Sequence, residues 1–338
     1  MNRRQQVLLV LSIAISALFL LLAFRGLSPA QAWESIRTAQ FGWLIVGFFV
    51  YYGALLVISR RWKFLIDVFT PVPVIHLFQL NAIGYMGNNI YPFRAGEVLR
   101  CVLLRRSHHV PLAKSGMTVF IERAFDGIVM VTFLLVGLSV LDLNSEVLRG
   151  MAAFTLPWFV GSLTIFLLLA QRPQTFKRII HAVTGRLPTV IGKRLAALSD
   201  DMIGGFEGMR RIQDLIGTLA TSYLAWMIEA LVYACVAMAF GLPFNYLLML
   251  VVVAAVNLGQ IIPTSPGGLG VFEFFAKTVL MAAGVAEAQA LGYAILVHII
   301  IWLPPTLLGF FMLWRQGLKL SAVAHARELE TVESTNGV

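Results

Sequence analysis

Apolar runs close to the length of a membrane span recur along the chain. The first, residues 7–24 (VLLVLSIAISALFLLLAF), follows Asn2-Arg3-Arg4, and others fall at 41–58, 151–170, 215–240, 246–263 and 290–314. Each approaches the ~20 residues that carry a helix across ~30 Å of hydrocarbon. Residues 117–141 form a less clean run, because Glu122, Arg123 and Asp126 open it and only 128–141 is free of charge. Residues 7–24 fit either a cleavable leader, with Ala30-Gln31-Ala32 as a cleavage site, or a retained first helix. Their 18 uncharged residues exceed the 7–15 of a leader's apolar core, so a retained anchor is expected.

Two segments break the pattern. Residues 74–93 (VIHLFQLNAIGYMGNNIYPF) have the length of a span but carry His76, Gln79, Asn81, Asn88, Asn89 and Pro92, and they lie between two positive stretches. A re-entrant hairpin satisfies both facts. Residues 257–273 (NLGQIIPTSPGGLGVFE) place Pro263, Pro266, Gly267, Gly268 and Gly270 inside an apolar context. Non-helical backbone at membrane depth needs protein or a wet cavity to satisfy it. Both breaks follow polar residues with a proline, a glycine four positions on, and then Glu97 or Glu273. Interrupted apolar segments in corresponding positions of two halves point to a transport site, since the N–H groups of a half-helix attract anions.

Composition turns these runs into a class. With 59% hydrophobic and 13% charged residues, the chain lies outside soluble proteins, which are roughly 25% charged. An all-α polytopic integral membrane protein is expected, with about eight transmembrane helices and one or two re-entrant segments in two similar halves: 1–170, and 215–320 with the broken segment 257–273. The net charge of +9 is then a topology signal and implies no nucleic acid. Residues 59–73 (Arg60, Arg61, Lys63), 94–116 and 171–214, with eight Lys and Arg, are expected on the cytoplasmic side, and the N-terminus with them. The stretches 142–150 and 241–245 fall on the other side. Residues 171–214 read as an amphipathic cytoplasmic linker and 321–338 as a polar tail, with no soluble catalytic domain appended. Cys101 and Cys235 show neither CxxC spacing nor a neighbouring histidine cluster, so free thiols and no metal are expected. Neither HExxH nor GxxxxGK[ST] occurs; no cofactor and no ATPase are expected.

Candidate chemistry gathers at the breaks. Arg94, Glu97 and Arg100 at i, i+3 spacing form either a self-satisfied ladder with positive-inside anchoring or a headgroup site. Glu122 and Asp126 at i, i+4 repel unless a cation or proton intervenes, and Arg123 is near both. Glu273 and Lys277 form either an ordinary i, i+4 pair or part of the site. Glu229 and His298, each isolated in an apolar run, are proton-relay candidates or hydrogen-bonded packing residues.

Three motifs in order resemble a known family. They are Asn88-Asn89-Ile-Tyr-Pro92-Phe-Arg94-Ala-Gly96-Glu97-x-x-Arg100, Glu122-Arg123-x-x-Asp126, and Pro263-x-x-Pro266-Gly267-Gly268-Leu269-Gly270-x-x-Glu273 followed by Gly284-Val285. They are similar to the transmembrane flippase region of lysylphosphatidylglycerol synthases and to stand-alone proteins built from that region. The resemblance implies a bacterial or archaeal cytoplasmic-membrane protein that moves a lipid between leaflets. The synthase activity of its bifunctional members is not carried over, and with no nucleophile–base pair or metal triad visible no enzyme is expected. Arg94, Arg100 and Arg123 favour a phosphate-bearing headgroup. The expected mechanism brings the two breaks together in a polar, laterally open groove. There Asn88, Asn89, Arg94 and the Gly267-Gly268 amides meet the headgroup, and Glu97, Asp126 and Glu273 pair arginines or take up a proton. Membrane lipids, a lipid substrate and lipid-biosynthesis enzymes are the partners this implies; it fixes no oligomeric state. The competing reading is a non-transporting scaffold for lipid or glycan-precursor synthesis.

Overall fold

A computed structural model describes residues 3–27, 29–171, 178, 182 and 212–317. Most of the expected linker 171–214 and all of the tail 321–338 lie outside the described residues. The described chain is helical throughout: α1 (Arg3–Ala23), α2 (Pro29–Arg37), α3 (Phe41–Ile66), α4 (Val74–Ile90), α5 (Ala95–His108), α6 (Leu112–Val140), α7 (Glu146–Gln171), α8 (Ile212–Ala239), α9 (Tyr246–Gly259), α10 (Val271–Ala282) and α11 (Glu287–Arg315). Single 3₁₀ turns at Pro92–Arg94 and Pro266–Gly268 separate α4 from α5 and α9 from α10.

Local chemistry sets many of the ends. Pro73 and Pro111 precede the first turns of α4 and α6, where the fixed φ of proline is pre-organised and its missing N–H costs nothing. The Asn245 side chain caps α9 by accepting from the Leu248 N–H at 3.0 Å. Helix α4 stops where Pro92 enforces an extended Tyr91 (φ −101°, ψ 145°).

Three helices, α3, α8 and α11, are by composition and length alone able to cross a bilayer. Large apolar side chains such as Phe49, Phe154, Trp158 and Phe311 stand exposed on the outside of the bundle, as lipid-facing positions do. Two faces are identified by which ends meet. The Gln40 N–H donates to the Ala239 carbonyl at 2.8 Å and Lys277 Nζ to the Ala23 carbonyl at 2.7 Å. These contacts bring the ends of α1, α8 and α10 to one face with the start of α3. At the other face Lys63 reaches Val72, and the His76 and His108 rings lie 5.5 Å apart.

Helices α1, α3, α6, α7, α8 and α11 run from face to face. The other four long segments form two hairpins that enter from opposite faces and turn back inside. In the first, α4 and α5 touch backbone to backbone: a Cβ on Gly87 would stand 2.7 Å from the Gly96 Cα. In the second, α9 descends beside the outer end of α6, and α10 returns along α1, from Ser16 to Ala23. The run 246–263, read from sequence as a crossing, is therefore the inward half of a hairpin. Its apolarity reflects burial on all sides: Val251 through Val256 are buried without exception.

The stretch 59–73 is corrected in the same way. Helix α3 continues to Ile66, and Arg61 is 1% exposed, inside the bundle and not in a surface loop.

Candidate functional site

The two hairpin tips meet. A Cβ on Gly267 would stand 3.8 Å from the Asn89 carbonyl oxygen and 3.3 Å from Trp302 Nε1. Both tips hang on the middle of α11. The Asn89 side chain donates to the Trp302 carbonyl at 3.2 Å and to Thr306 at 2.8 Å. On the other tip, His298 Nε2 lies 2.9 Å from the Gly267 carbonyl and its Nδ1 lies 2.6 Å from Glu273. Phe272 stacks on the ring at 4.2 Å, and Glu273 also accepts from the Gly270 N–H at 2.7 Å, closing the first turn of α10.

Backbone at both tips is unusual. Arg94 sits in the left-handed region (φ 51°, ψ 38°), which disfavours a side chain by ~1–2 kcal/mol and here aims the guanidinium past the start of α5. Gly267, Gly268 and Gly270 have φ of 76°, 77° and 88°, values that glycine adopts without that cost.

Between the tips lies a cavity of about 520 Å³. Of the expected site residues, Asn88, Asn89, Arg94, Arg123, Pro266, Gly267 and Gly268 line it. Glu97 stands just behind, its carboxylate 3.7 Å from both Arg94 and Arg123. The others point elsewhere. Arg100 does not complete the ladder with Glu97: it is buried in an ion pair with Glu122, bonded to Asn81 and stacked over Trp62 at 4.4 Å. Gly270 packs against α1 at Ser16 and Leu20. Lys277 is paired not with Glu273 but with Glu287 at 2.6 Å, since α10 turns that side chain toward the far face.

The charges in the first half of α6, Glu122 and Asp126, are satisfied by a residue that sequence reasoning placed in a loop. Arg61 is ion-paired with Asp126, reaches Glu122 at 3.3 Å, and donates to Ser222 at 3.2 Å. It is the cation that the Glu122–Asp126 spacing demands. The Trp226 indole donates to Asp126 at 2.6 Å, and Arg123 lies 3.3 Å from the same carboxylate. The signal for Arg61 was its position four residues after Val57, inside a continuing helical pattern; the positive-inside rule outweighed it. Glu229 and His298, the two relay candidates, both line the cavity; Glu229 has no hydrogen-bond partner among the described residues, and His298 is held by Glu273 and the Gly267 carbonyl.

Four arginines of this network (Arg61, Arg94, Arg100 and Arg123) meet three carboxylates (Glu97, Glu122 and Asp126). The surplus positive charge falls on Arg94 and Arg123, the two that face the cavity. Glu229 stands on the cavity wall as the remaining carboxylate. Among the described residues no cluster suits a metal ion, and Cys101 and Cys235 are free and buried.

Comparison with known proteins matches residues 9–309 to the lysylphosphatidylglycerol synthase TM region. The chain belongs to this family. A UPF0104 membrane protein of Methanothermobacter thermautotrophicus is 27% identical, covering 88% of this chain and 90% of that one. Another, from Pyrococcus horikoshii, is 23% identical over 89% and 94%. The glycosyltransferase AglD of Haloferax volcanii is 25% identical over 64% of this chain but only 39% of its own length. The chain is thus a membrane protein of this family, helical throughout its described residues.

Proposed function

We propose that the chain is a flippase-like transporter that moves a phosphate-bearing lipid between the leaflets of a bacterial or archaeal cytoplasmic membrane, without itself catalysing a covalent reaction. The observation that carries this reading is the cavity between two half-helix hairpins entering from opposite faces, with an excess of arginine on its wall. Of its two arginines Arg94 is the more open, its side chain 52% exposed against 28% for Arg123 and held by a 3.7 Å contact with Glu97. A guanidinium can fork onto a phosphate; a lysine supplies charge without that geometry.

Leaflet exchange in proteoliposomes tests it. Arg94→Lys and Arg94→Ala are expected to slow exchange of a phosphate-bearing lipid by roughly ten- to a hundredfold, the equivalent of one charge-assisted contact of ~1.5–3 kcal/mol. Equal rates for wild type and both variants would remove Arg94 from the headgroup. A chain that accelerates no lipid over empty liposomes would favour the second reading, a non-transporting accessory of lipid or glycan-precursor synthesis. That reading has support from the AglD match, where a similar region belongs to a protein called a glycosyltransferase.

The face bearing Arg60, Lys63, Arg105, Arg106 and Lys114 is assigned to the cytoplasm by its excess of cations. Single cysteines at Val68 and Phe244, in a background lacking Cys101 and Cys235, check this. An impermeant thiol reagent added outside intact cells is expected to label Phe244→Cys and spare Val68→Cys; the reverse pattern would invert the topology.

A further inference from the structure

Resting on the phosphate-bearing lipid reading, we infer that the headgroup also carries a sugar: the cavity fits a lipid-linked glycosyl phosphate. At about 520 Å³ the space falls within the ~300–1,000 Å³ range of pockets that enclose whole small molecules, far more than a phosphate fills. Beyond the two arginines its polar lining combines tyrosine, serine and threonine hydroxyls with four carboxamides, and it is the carboxamides whose acceptor ends are unspent. Asn88 Oδ1 is buried with no hydrogen-bond partner. The Asn89 amide nitrogen is committed to Trp302 and Thr306, and that of Asn257 to the Val253 carbonyl at 2.9 Å, which leaves both carbonyl oxygens to the cavity. Gln260 and the Glu229 carboxylate line the same space, with no side-chain hydrogen bond to the described residues.

Such a wall asks for several hydrogen-bond donors at once. A phosphate has none to give when ionised. An ammonium would supply them, but in the same cavity it would meet Arg94 and Arg123, with Glu229 the one acidic residue on the wall and Glu97 and Asp126 already paired with those arginines. Neutral hydroxyls satisfy the acceptors without that repulsion. The apolar part of the lining completes the match, because Tyr85, Trp226 and Trp302 provide flat faces against which the C–H face of a sugar ring packs.

Two lipids with the same acyl chains and the same phosphodiester charge, phosphatidylglucose and phosphatidylmethanol, isolate the sugar. Retention of each by the full chain, measured by native mass spectrometry at equal lipid concentration, is expected to favour phosphatidylglucose about tenfold, the value of a few neutral hydrogen bonds. Asn257→Leu is expected to abolish most of that preference while leaving phosphatidylmethanol binding unchanged. Gln260→Leu, in the connection after α9, gives the same readout if the first variant fails to fold. Arg94→Lys should weaken both lipids alike. Equal retention of the two lipids by wild type, with Arg94→Lys still weakening both, would overturn the sugar and spare the phosphate reading. Loss of neither lipid in Arg94→Lys would remove the phosphate reading itself. Stronger retention of lysylphosphatidylglycerol than of phosphatidylglucose would overturn the sugar inference in favour of a cationic headgroup.

Discussion

Arg61→Ala is expected to destabilise the protein by ~3–5 kcal/mol, because it removes one partner of a buried ion network and leaves the carboxylates behind. Arg61 is 1% exposed and contacts Glu122, Asp126 and Ser222 at once. Glu122 keeps Arg100, and Asp126 keeps Trp226 and Arg123. Even so, two carboxylates one helical turn apart lose the cation between them. The check is thermal unfolding of detergent-solubilised protein, with monodispersity as a second readout. Arg61→Lys should lie between wild type and alanine, since it restores charge without the fork. Adding Asp126→Asn to Arg61→Ala should recover part of the loss, because the orphaned charge causes most of it. Wild-type stability of Arg61→Ala would show that the network contributes nothing.

The second large effect is expected at Gly96. A Cβ there would overlap the Gly84 carbonyl oxygen and stand 2.6 Å from the Asn88 nitrogen. Both obstacles are backbone, so no rotamer change relieves them, and α4 and α5 must separate. Overpacking typically costs ~1–3 kcal/mol where side chains can yield; Gly96→Ala should reach or exceed the top of that range. It should also impair lipid binding, because α5 carries Arg94 at its start. Gly116→Ala is the matched control: nothing lies within 4 Å of a Cβ there, so gaining alanine inside α6 should be neutral or slightly stabilising. Equal stability of the two variants would mean that the hairpin tolerates separation.

Gly96 also shows what the sequence made legible. The glycines, the prolines and the polar residues of 74–93 pointed to a hairpin contained in that stretch, but 74–90 is one continuous helix and the turn falls at Pro92–Arg94. The return arm is α5 (Ala95–His108), which the sequence reading had placed in the cytoplasmic stretch 94–116 and whose Arg100 is buried. The same reasoning identified the second break but not the hairpin around it. The 14 residues of α9, ten of them buried, carry no amphipathic stripe, and nothing local distinguishes half a crossing from a whole one. The charges at Glu122, Arg123 and Asp126 were visible as an anomaly, whereas their partner was not. Arg61 lies 61 positions before Glu122, and a charge rule written for loops absorbed it. Lys277 failed for a related reason: i, i+4 spacing permits a pair with Glu273, but His298 already holds that carboxylate and Glu287 offers another. Local pattern located the breaks; which side chains close on one another depended on how the two hairpins dock.

The opposed entry of the hairpins has an electrical consequence. Helix α4 is 17 residues long and α10 is 12, so at ~1.5 Å per residue the tips lie ~25 Å from one face and ~18 Å from the other. A charge seated beside Arg94 has then traversed about half of the membrane's voltage drop. Each elementary charge is worth ~2.3 kcal/mol per 100 mV across the whole membrane, hence about half of that at the tips. An ionised headgroup would therefore change its occupancy several-fold for every 100 mV, and the resting potential alone would make the site unequally accessible from the two leaflets.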